Sequence, residues 1–368
     1  MGPAGVPMRL QGRLIGLFSF DIGYEIDLER ARGLVATAEK ADLEKRRAAP
    51  AYVAYAKPPL LASIGTHDVE LGGSMRPAAA SAVVHEFGAL TVVLRLPLDC
   101  DIADLPGLTS VLTGASPMEH LARRLMEETF GRLLPAIRRP GLNAFVEDYY
   151  IVQVDRFEGV VGIPDLLARG RSPLASALRC EPSPLSDAEI DEVFRSRISY
   201  YPNDLVVSEW NVSLIVDSDY MEALNILEYL NVQLAELRYY DALLERRVEG
   251  TYAMTSAPAR ITILRYRPYR RSIEELASIR LDVTAVFERI HNALKLSGDL
   301  YLAKVYSRAA ERMGLAAWEQ SVAQKIDVLQ QMYNVLVQRV TTSRAELLEL
   351  AIILLIVLEL LVLLTGLA

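Results

Sequence analysis

Near the C-terminal end of the chain, residues 347–367 read LLELAIILLIVLELLVLLTGL. Sixteen of these residues are Leu, Ile or Val, and the run is as long as the roughly 20 apolar residues that cross a bilayer. Central aliphatic side chains contribute about −0.3 to −0.6 kcal/mol each to insertion, whereas one carboxylate such as Glu359 costs about 3 kcal/mol. The summed gain of the aliphatic side chains exceeds the cost of Glu359. The run is therefore predicted to be a transmembrane helix over 347–368, a single-pass tail anchor whose partner is the lipid bilayer.

Basic residues flank this run on one side only. Arg339 and Arg344 precede it, and no Lys or Arg follows it. The positive-inside rule then predicts that the N-terminal bulk of the chain lies in the cytoplasm. The alternative interpretation is an apolar helix buried in the core of an oligomer, since a helix that is apolar all round is buried by something.

Long helical patterns precede the run. The first covers about 219–252 and starts with the capping-box pair Asp219 and Glu222; the second opens at Ser272, and the third begins near Leu315. Apolar residues recur in all three at the 3–4 spacing of a coiled-coil seam. We therefore expect an antiparallel long-helix coiled-coil bundle over 218–346, a stalk that leads into the apolar run.

The N-terminal part has a different pattern. Short β-like runs predict strands at 14–20, 52–56, 82–87, 90–96, 149–157 and 205–216, with a hairpin turn at Gly88-Ala89. Helical stretches lie between them, so residues 1–217 are expected to form an α+β head domain with a mixed or antiparallel sheet. Residues 159–186 are rich in Pro, Gly and Ser and are predicted to be a surface excursion.

The chain contains none of the common catalytic signatures. Phosphate-loop, dinucleotide-turn, nucleophile-elbow and HExxH patterns are all missing, and the four His and two Cys have no metal-ligand spacing. We therefore predict no catalytic residues, no metal site and no cofactor. The pair Glu147-Asp148 is assigned to a solvated turn, and His85-Glu86 is no dyad because neighbouring strand residues point to opposite faces.

One basic and aromatic segment, RYRPYRR, connects the first two long helices. It can contact lipid headgroups, contact RNA or remain a solvated loop. The net charge of −8 argues against a dedicated nucleic-acid binder, so RNA is the weaker of the two functional interpretations. The candidate contact residues are Arg265, Tyr266, Arg267, Tyr269, Arg270 and Arg271.

Two acidic residues interrupt apolar helical patterns. Asp241 falls in the seam of the first long helix, where it sets the register, pairs with an Arg of a facing helix, or is rotated into solvent. Glu359 lies within the apolar run, where it is protonated or hydrogen-bonded to its counterpart in a homo-oligomer. Both are packing or oligomerisation candidates.

Two stretches resemble a known family. The run YLAKVYSRAAERMGLAAWEQSVAQKIDVLQQMYNVL, followed by RAELLELAIILLIVLEL, is similar to the end of the "required for meiotic nuclear division" family, and VVHEFGALTVVLRL looks like its hairpin. The resemblance implies a divergent bacterial relative, anchored in the inner membrane and homo-oligomeric. That family has no assigned catalytic residues, so none transfer to this chain.

These observations leave three functional hypotheses. The first is a membrane-anchored oligomeric scaffold or tethering protein whose head domain recruits an unidentified protein partner. The second is a hydrolase acting on nucleotides or phosphate esters, with a site completed between subunits. The third is an RNA or ribosome tether that uses the arginine segment.

Overall fold

The computed structural model describes residues 7–35, 53–55, 58–114, 116–143, 145–256, 277, 281, 283–284, 294–296 and 300–365. The strands in these ranges are β1 (Arg9–Asp21), β2 (Gly23–Ile26), β3 (Val53–Tyr55), β4 (Leu60–Leu71), β5 (Ser74–Val84), β6 (Ala89–Asp101), β7 (Ile137–Pro140), β8 (Glu147–Glu158), β9 (Leu205–Ser208), β10 (Val212–Val216) and β11 (Leu294–Leu296). The helices are α1 (Leu28–Val35), α2 (Leu105–Ser110), α3 (Pro117–Leu133), α4 (Ile163–Leu178), α5 (Asp187–Phe194), α6 (Met221–Ser256), α7 (Leu300–Arg312) and α8 (Leu315–Thr365).

Seven of the described strands form one mixed sheet in the order β4-β5-β6-β1-β8-β10-β9. Neighbours are antiparallel except β8 and β10, which run parallel. Two smaller sheets pair β2 with β7 and β3 with β11. The chain is therefore α+β with a large mixed sheet.

The central strand β1 is buried on both faces. Leu14 and Phe18 point to one face and Ile15 and Leu17 to the other, as the period of two in a strand requires. Phe18 packs edge to face against Tyr150 of β8, with ring centroids 5.8 Å apart. Apolar residues on both faces predict a helical layer on each side of the sheet.

Helices α3, α4 and α5 cover the face that carries Phe18. Helix α3 packs on β1, β4 and β6, while α4 packs on β10 and α5 on β9. Helix α3 starts where the Ser116 hydroxyl accepts a hydrogen bond from the Glu119 amide, with Pro117 in the first turn. Its buried stripe then follows the helical period and faces the sheet.

A tight turn at Gly88 joins β5 to β6. Its φ of +102° is in the left-handed region, and a Cβ at this position would lie 1.7 Å from the carbonyl oxygen of Gly23. Only glycine permits both the conformation and this close backbone approach. The Gly88 carbonyl accepts from the Ile22 amide at 3.0 Å, so the turn also fixes the chain that follows β1.

The first part of α6 covers the opposite face of the sheet. Its residues from Ala223 to Leu237 are buried on nearly all sides, and Tyr306 of α7 donates a hydrogen bond to the Gln233 side chain at 3.0 Å. This stretch is a core helix, whereas the sequence predicted the start of a stalk. A 3–4 apolar spacing cannot distinguish the two, because both bury the same stripe.

Two compact units divide the chain. The first comprises Met1–Tyr239 and Glu288–Trp318, and the second comprises Tyr240–Phe287 and Glu319–Ala368. Most of the predicted second long helix, which opens at Ser272, lies outside the described residues.

The predicted surface excursion at 159–186 contains a helix, α4. Pro164 occupies its first turn, Pro173 lies inside it, and Leu166, Leu174 and Leu178 are buried. Burial of this apolar stripe stabilises a helix whose Pro, Gly and Ser content disfavours it locally.

The predicted transmembrane helix is wrong. Across the part of the chain that the structure describes, no helix has an apolar stretch long enough to cross a bilayer. The apolar side chains described in α8 run over 348–361 and are interrupted by Glu349 and Glu359.

Candidate functional site

Three polar side chains form a row across the centre of the sheet, on the face that α6 covers. Ser19 of β1 pairs with Thr91 of β6 on one side and with Glu147 of β8 on the other. The Ser19 and Thr91 hydroxyls lie 3.0 Å apart, and all three residues are buried. We name Thr91, Ser19 and Glu147 the polar row.

Helix α6 bonds to this row with two side chains. The Asn231 amide nitrogen donates to the Ser19 hydroxyl at 2.8 Å and to the Glu147 carbonyl oxygen at 3.0 Å. Arg238 donates from Nη1 to both carboxylate oxygens of Glu147, at 2.9 and 2.7 Å. Helix α6 is thereby fixed to two adjacent strands, since buried polar groups must find partners.

A third link lies one turn earlier in α6. The carboxylate of Glu228 lies 2.8 Å from Nε2 of His85, which follows β5, and both side chains are almost fully buried. The Phe87 ring lies beside the imidazole, with the two ring centroids 5.0 Å apart. The carboxylate partner of His85 is therefore Glu228, 143 residues away in sequence, and not its neighbour Glu86. Burial separates the pair from solvent.

Electrostatics distinguish Glu147 from an ordinary surface acid. Burial raises the pKa of Glu147 to about 7, while Arg238 opposes this shift and the neighbouring Asp148 adds to it. The Arg238 guanidinium also lies over two rings, 4.8 Å from the centroid of Phe145 and 5.4 Å from that of Trp318. The sequence assigned Glu147 to a solvated turn, and this is wrong because β8 starts at this residue beneath α6.

Two further acids lie close to the polar row. Asp21 follows Ser19 by two residues, so it is on the same face of β1, and burial raises its pKa to about 7. Its carboxylate accepts a hydrogen bond from the Gly23 amide at 3.2 Å. Asp148 is on the opposite face of β8, where burial also raises its pKa.

A second buried ionic cluster surrounds Glu209, in the turn between β9 and β10. Arg312, the last residue of α7, and Arg179, directly after α4, approach its carboxylate at 3.0 and 3.3 Å. Arg312 also pairs with Glu192 of α5 at 2.9 Å. Burial raises the pKa of Glu209, and the two arginines oppose that shift. The cluster holds the end of α7 to the sheet and its helices.

The predicted site residues are placed as follows. Asp241 pairs with Lys325 of α8 at 2.9 Å and accepts from the Ser321 hydroxyl at 2.6 Å, so its partner is a lysine rather than an arginine. Glu359 lies in α8 and is exposed. The basic and aromatic candidates lie outside the described residues: Arg265, Tyr266, Arg267, Tyr269, Arg270 and Arg271.

The polar contacts beneath α6 fix this helix to the sheet. In the described ranges, no three His, Cys, Asp or Glu side chains are grouped to hold a metal ion. The polar groups beneath α6 are buried and bonded mainly to one another. Sequence reasoning missed this network, although the buried Glu228, Asn231, Gln233 and Glu236 in an otherwise apolar stretch of α6 could have indicated it.

Comparison with known proteins corrects two expectations. The chain matches the family model described as the N-terminal domain of uncharacterized protein MJ0711 over residues 11–222. The uncharacterized protein MJ0711 of Methanocaldococcus jannaschii is 26% identical over 238 residues, which are 64% of this chain and 71% of the relative. No solved structure matches.

The resemblance to the "required for meiotic nuclear division" family is therefore wrong. It rested on helical periodicity, an apolar run and a glycine turn, which unrelated chains share. The bacterial inner-membrane location is wrong as well, since the matched relative is archaeal and the described residues contain no spanning helix. Because the matched region, 11–222, is more than half of the 368 residues, the protein belongs to the family of the MJ0711 N-terminal domain.

Proposed function

We propose that the protein is a non-enzymatic scaffold that self-associates through the C-terminal part of α8. The observation that carries the proposal is a run of apolar side chains in 348–361 that are each 49–66% exposed. We name this run the α8 apolar segment; its apolar members are Leu348, Leu350, Ile352, Ile353, Leu354, Leu355, Ile356, Val357, Leu358, Leu360 and Leu361.

The segment is apolar on every side of the helix. Consecutive residues are 100° apart around a helix, so the unbroken run 352–358 leaves no polar face. Exposed apolar surface of this extent marks an interaction site, and a helix that is apolar all round is buried in its functional state.

A second copy of the chain is the occupant that fits. Full burial of a Leu, Ile or Val side chain contributes about 1.5–3 kcal/mol, so eleven half-exposed side chains offer about 8–16 kcal/mol. Association costs about 4–15 kcal/mol, so most of the segment must be covered for a stable assembly. One partner helix covers a single face, and this favours bundles of more than two copies.

The two glutamates fit this assembly as specificity elements. Glu349 and Glu359 are ten residues apart, and in an assembly each carboxylate loses water unless it stays at the rim or is protonated. Their burial cost weakens the assembly and limits the registers in which segments can pack.

The test compares the oligomeric state of matched variants of the full chain by sedimentation velocity. Leu354→Glu places a charge in the middle of the segment, and Gln331→Glu adds the same charge at an exposed polar position of the same helix. We expect an oligomer for the wild type and Gln331→Glu, and at least tenfold weaker association for Leu354→Glu. A wild-type chain that stays monomeric at micromolar concentration, including one that binds lipid vesicles as a monomer, would overturn the proposal.

A further inference from the structure

Arg238 joins three parts of the first compact unit. Its guanidinium bonds to both carboxylate oxygens of Glu147 on β8 and contacts the rings of Phe145 and Trp318. Phe145 belongs to the connection that precedes β8, and Trp318 lies in the first turn of α8. The contact of α6 with the start of α8 at this point therefore depends on where the Arg238 guanidinium lies.

Water reaches the two sides of the ion pair unequally. The Glu147 side chain is 8% exposed, whereas that of Arg238 is 38% exposed. A guanidinium that loses its counter-ion can therefore turn outward into water, while the carboxyl group has no such route. A change in the charge of Glu147 consequently acts on the position of Arg238.

We propose that Glu147, Arg238 and Trp318 form a proton-controlled latch that fixes the first turn of α8 to α6. With Glu147 ionised, its carboxylate holds the guanidinium against the Phe145 and Trp318 rings. When Glu147 takes up one proton from solvent, Arg238 keeps its own proton, loses the buried anion and swings away. The Trp318 ring then loses the cation that covers it and gains exposure.

The burial of Glu147 places this event in the neutral range. Burial raises its pKa to about 7, against the opposing effect of Arg238. A modest acidification from neutral pH therefore protonates Glu147, whereas an ordinary surface glutamate stays ionised.

Other titratable groups face the same region and must be separated from Glu147. Asp21 approaches from β1 on the same face, and Asp148 follows Glu147 on β8 and faces the other way. Glu228 lies on α6, and its hydrogen-bonded partner His85 directly follows β5. Each of these side chains can be replaced by a neutral one in a variant that leaves Arg238 itself unchanged.

Tryptophan fluorescence of the full chain tests the latch. The sequence contains two Trp, so Trp210→Phe leaves Trp318 as the reporter. In that background we expect a red shift of the emission as pH falls from about 9 to about 5, with a midpoint near 7. In the same background, Asp21→Asn, Asp148→Asn and Glu228→Gln should retain the transition.

Two variants remove the latch in different ways. Glu147→Gln should give the red-shifted emission at every pH, and Arg238→Gln should remove the transition even where Glu147 still titrates. Far-UV circular dichroism checks that each variant is folded. If Glu147→Gln does not fold, the Arg238→Gln variant alone tests the latch. A flat titration of the Trp210→Phe chain, or a transition that persists in a folded Glu147→Gln or Arg238→Gln variant, would overturn the latch.

Discussion

Asn231 and Ser19 are 212 residues apart in the sequence and are joined by a hydrogen bond of 2.8 Å between the amide nitrogen and the hydroxyl oxygen. The same amide reaches the main chain of Glu147, so one side chain fixes α6 to two strands. Among the residues that the structure describes, no donor bonds to the Asn231 amide oxygen, which is fully buried. An unsatisfied buried acceptor costs stability, and this indicates that Asn231 specifies how α6 lies on the sheet.

Asn231→Ala should therefore lower the free energy of unfolding by about 1–3 kcal/mol, since it leaves two buried acceptors without their donor. Ser19→Ala should cost about 1 kcal/mol, and the double variant should cost less than the sum because the pair is in direct contact. Urea unfolding of the four chains measures the coupling. Strict additivity would show that the hydrogen bond does not couple the two positions.

The His85–Glu228 pair predicts a contrast between two substitutions of one residue. Glu228→Ala strands a buried imidazole and should cost about 2–4 kcal/mol, whereas Glu228→Gln keeps a hydrogen-bonding oxygen and should cost about 1 kcal/mol. Thermal unfolding of both variants measures the difference. Equal melting temperatures would mean that the pair contributes no hydrogen bond to stability.

Glu147 predicts a definite sign for the pH dependence of stability. Its pKa rises from the model-compound value of 4.5 to about 7 on folding, so the folded state binds a proton more tightly than the unfolded state. The stability that this tighter proton binding contributes is fully present below about pH 4.5 and is lost as pH rises through about 7. The stability of the wild type relative to Glu147→Gln should therefore fall between these limits, and a relative stability that rises with pH would contradict the assignment.

The Glu209 cluster predicts the behaviour of the end of α7. Arg312→Ala removes a cation from a buried carboxylate and should cost about 3 kcal/mol, while Arg312→Lys keeps the charge and should cost less. Hydrogen exchange of the α7 amides should speed up most in the alanine variant. Protection unchanged from the wild type would show that α7 is held by its apolar contacts alone.

Local patterns predicted part of this fold. The strand expected at 14–20 lies inside β1, and the hairpin turn expected at Gly88-Ala89 is centred near Gly88, because alternation and turn chemistry are properties of short segments. The strand expected at 205–216 is instead the pair β9 and β10, with Trp210 exposed in their turn. Nothing in its residue types distinguishes one long strand from a hairpin.

The site was much harder to predict. Glu147 is buried because Asn231 and Arg238 lie over it, and these residues are 84 and 91 positions away. Its sequence neighbourhood resembles a solvated turn, and no local pattern reports a helix that arrives from another part of the chain. Long-range burial of this kind is a tertiary property, and it overrides local preference.

Assembly through the α8 apolar segment determines the mass of the protein in solution. Sedimentation equilibrium of the full chain over a range of concentrations measures the mass of the species directly. We expect a mass above twice the 40.8 kDa of one chain, because one partner helix leaves part of the segment exposed. A single species of 40.8 kDa at every concentration would contradict self-association through this segment.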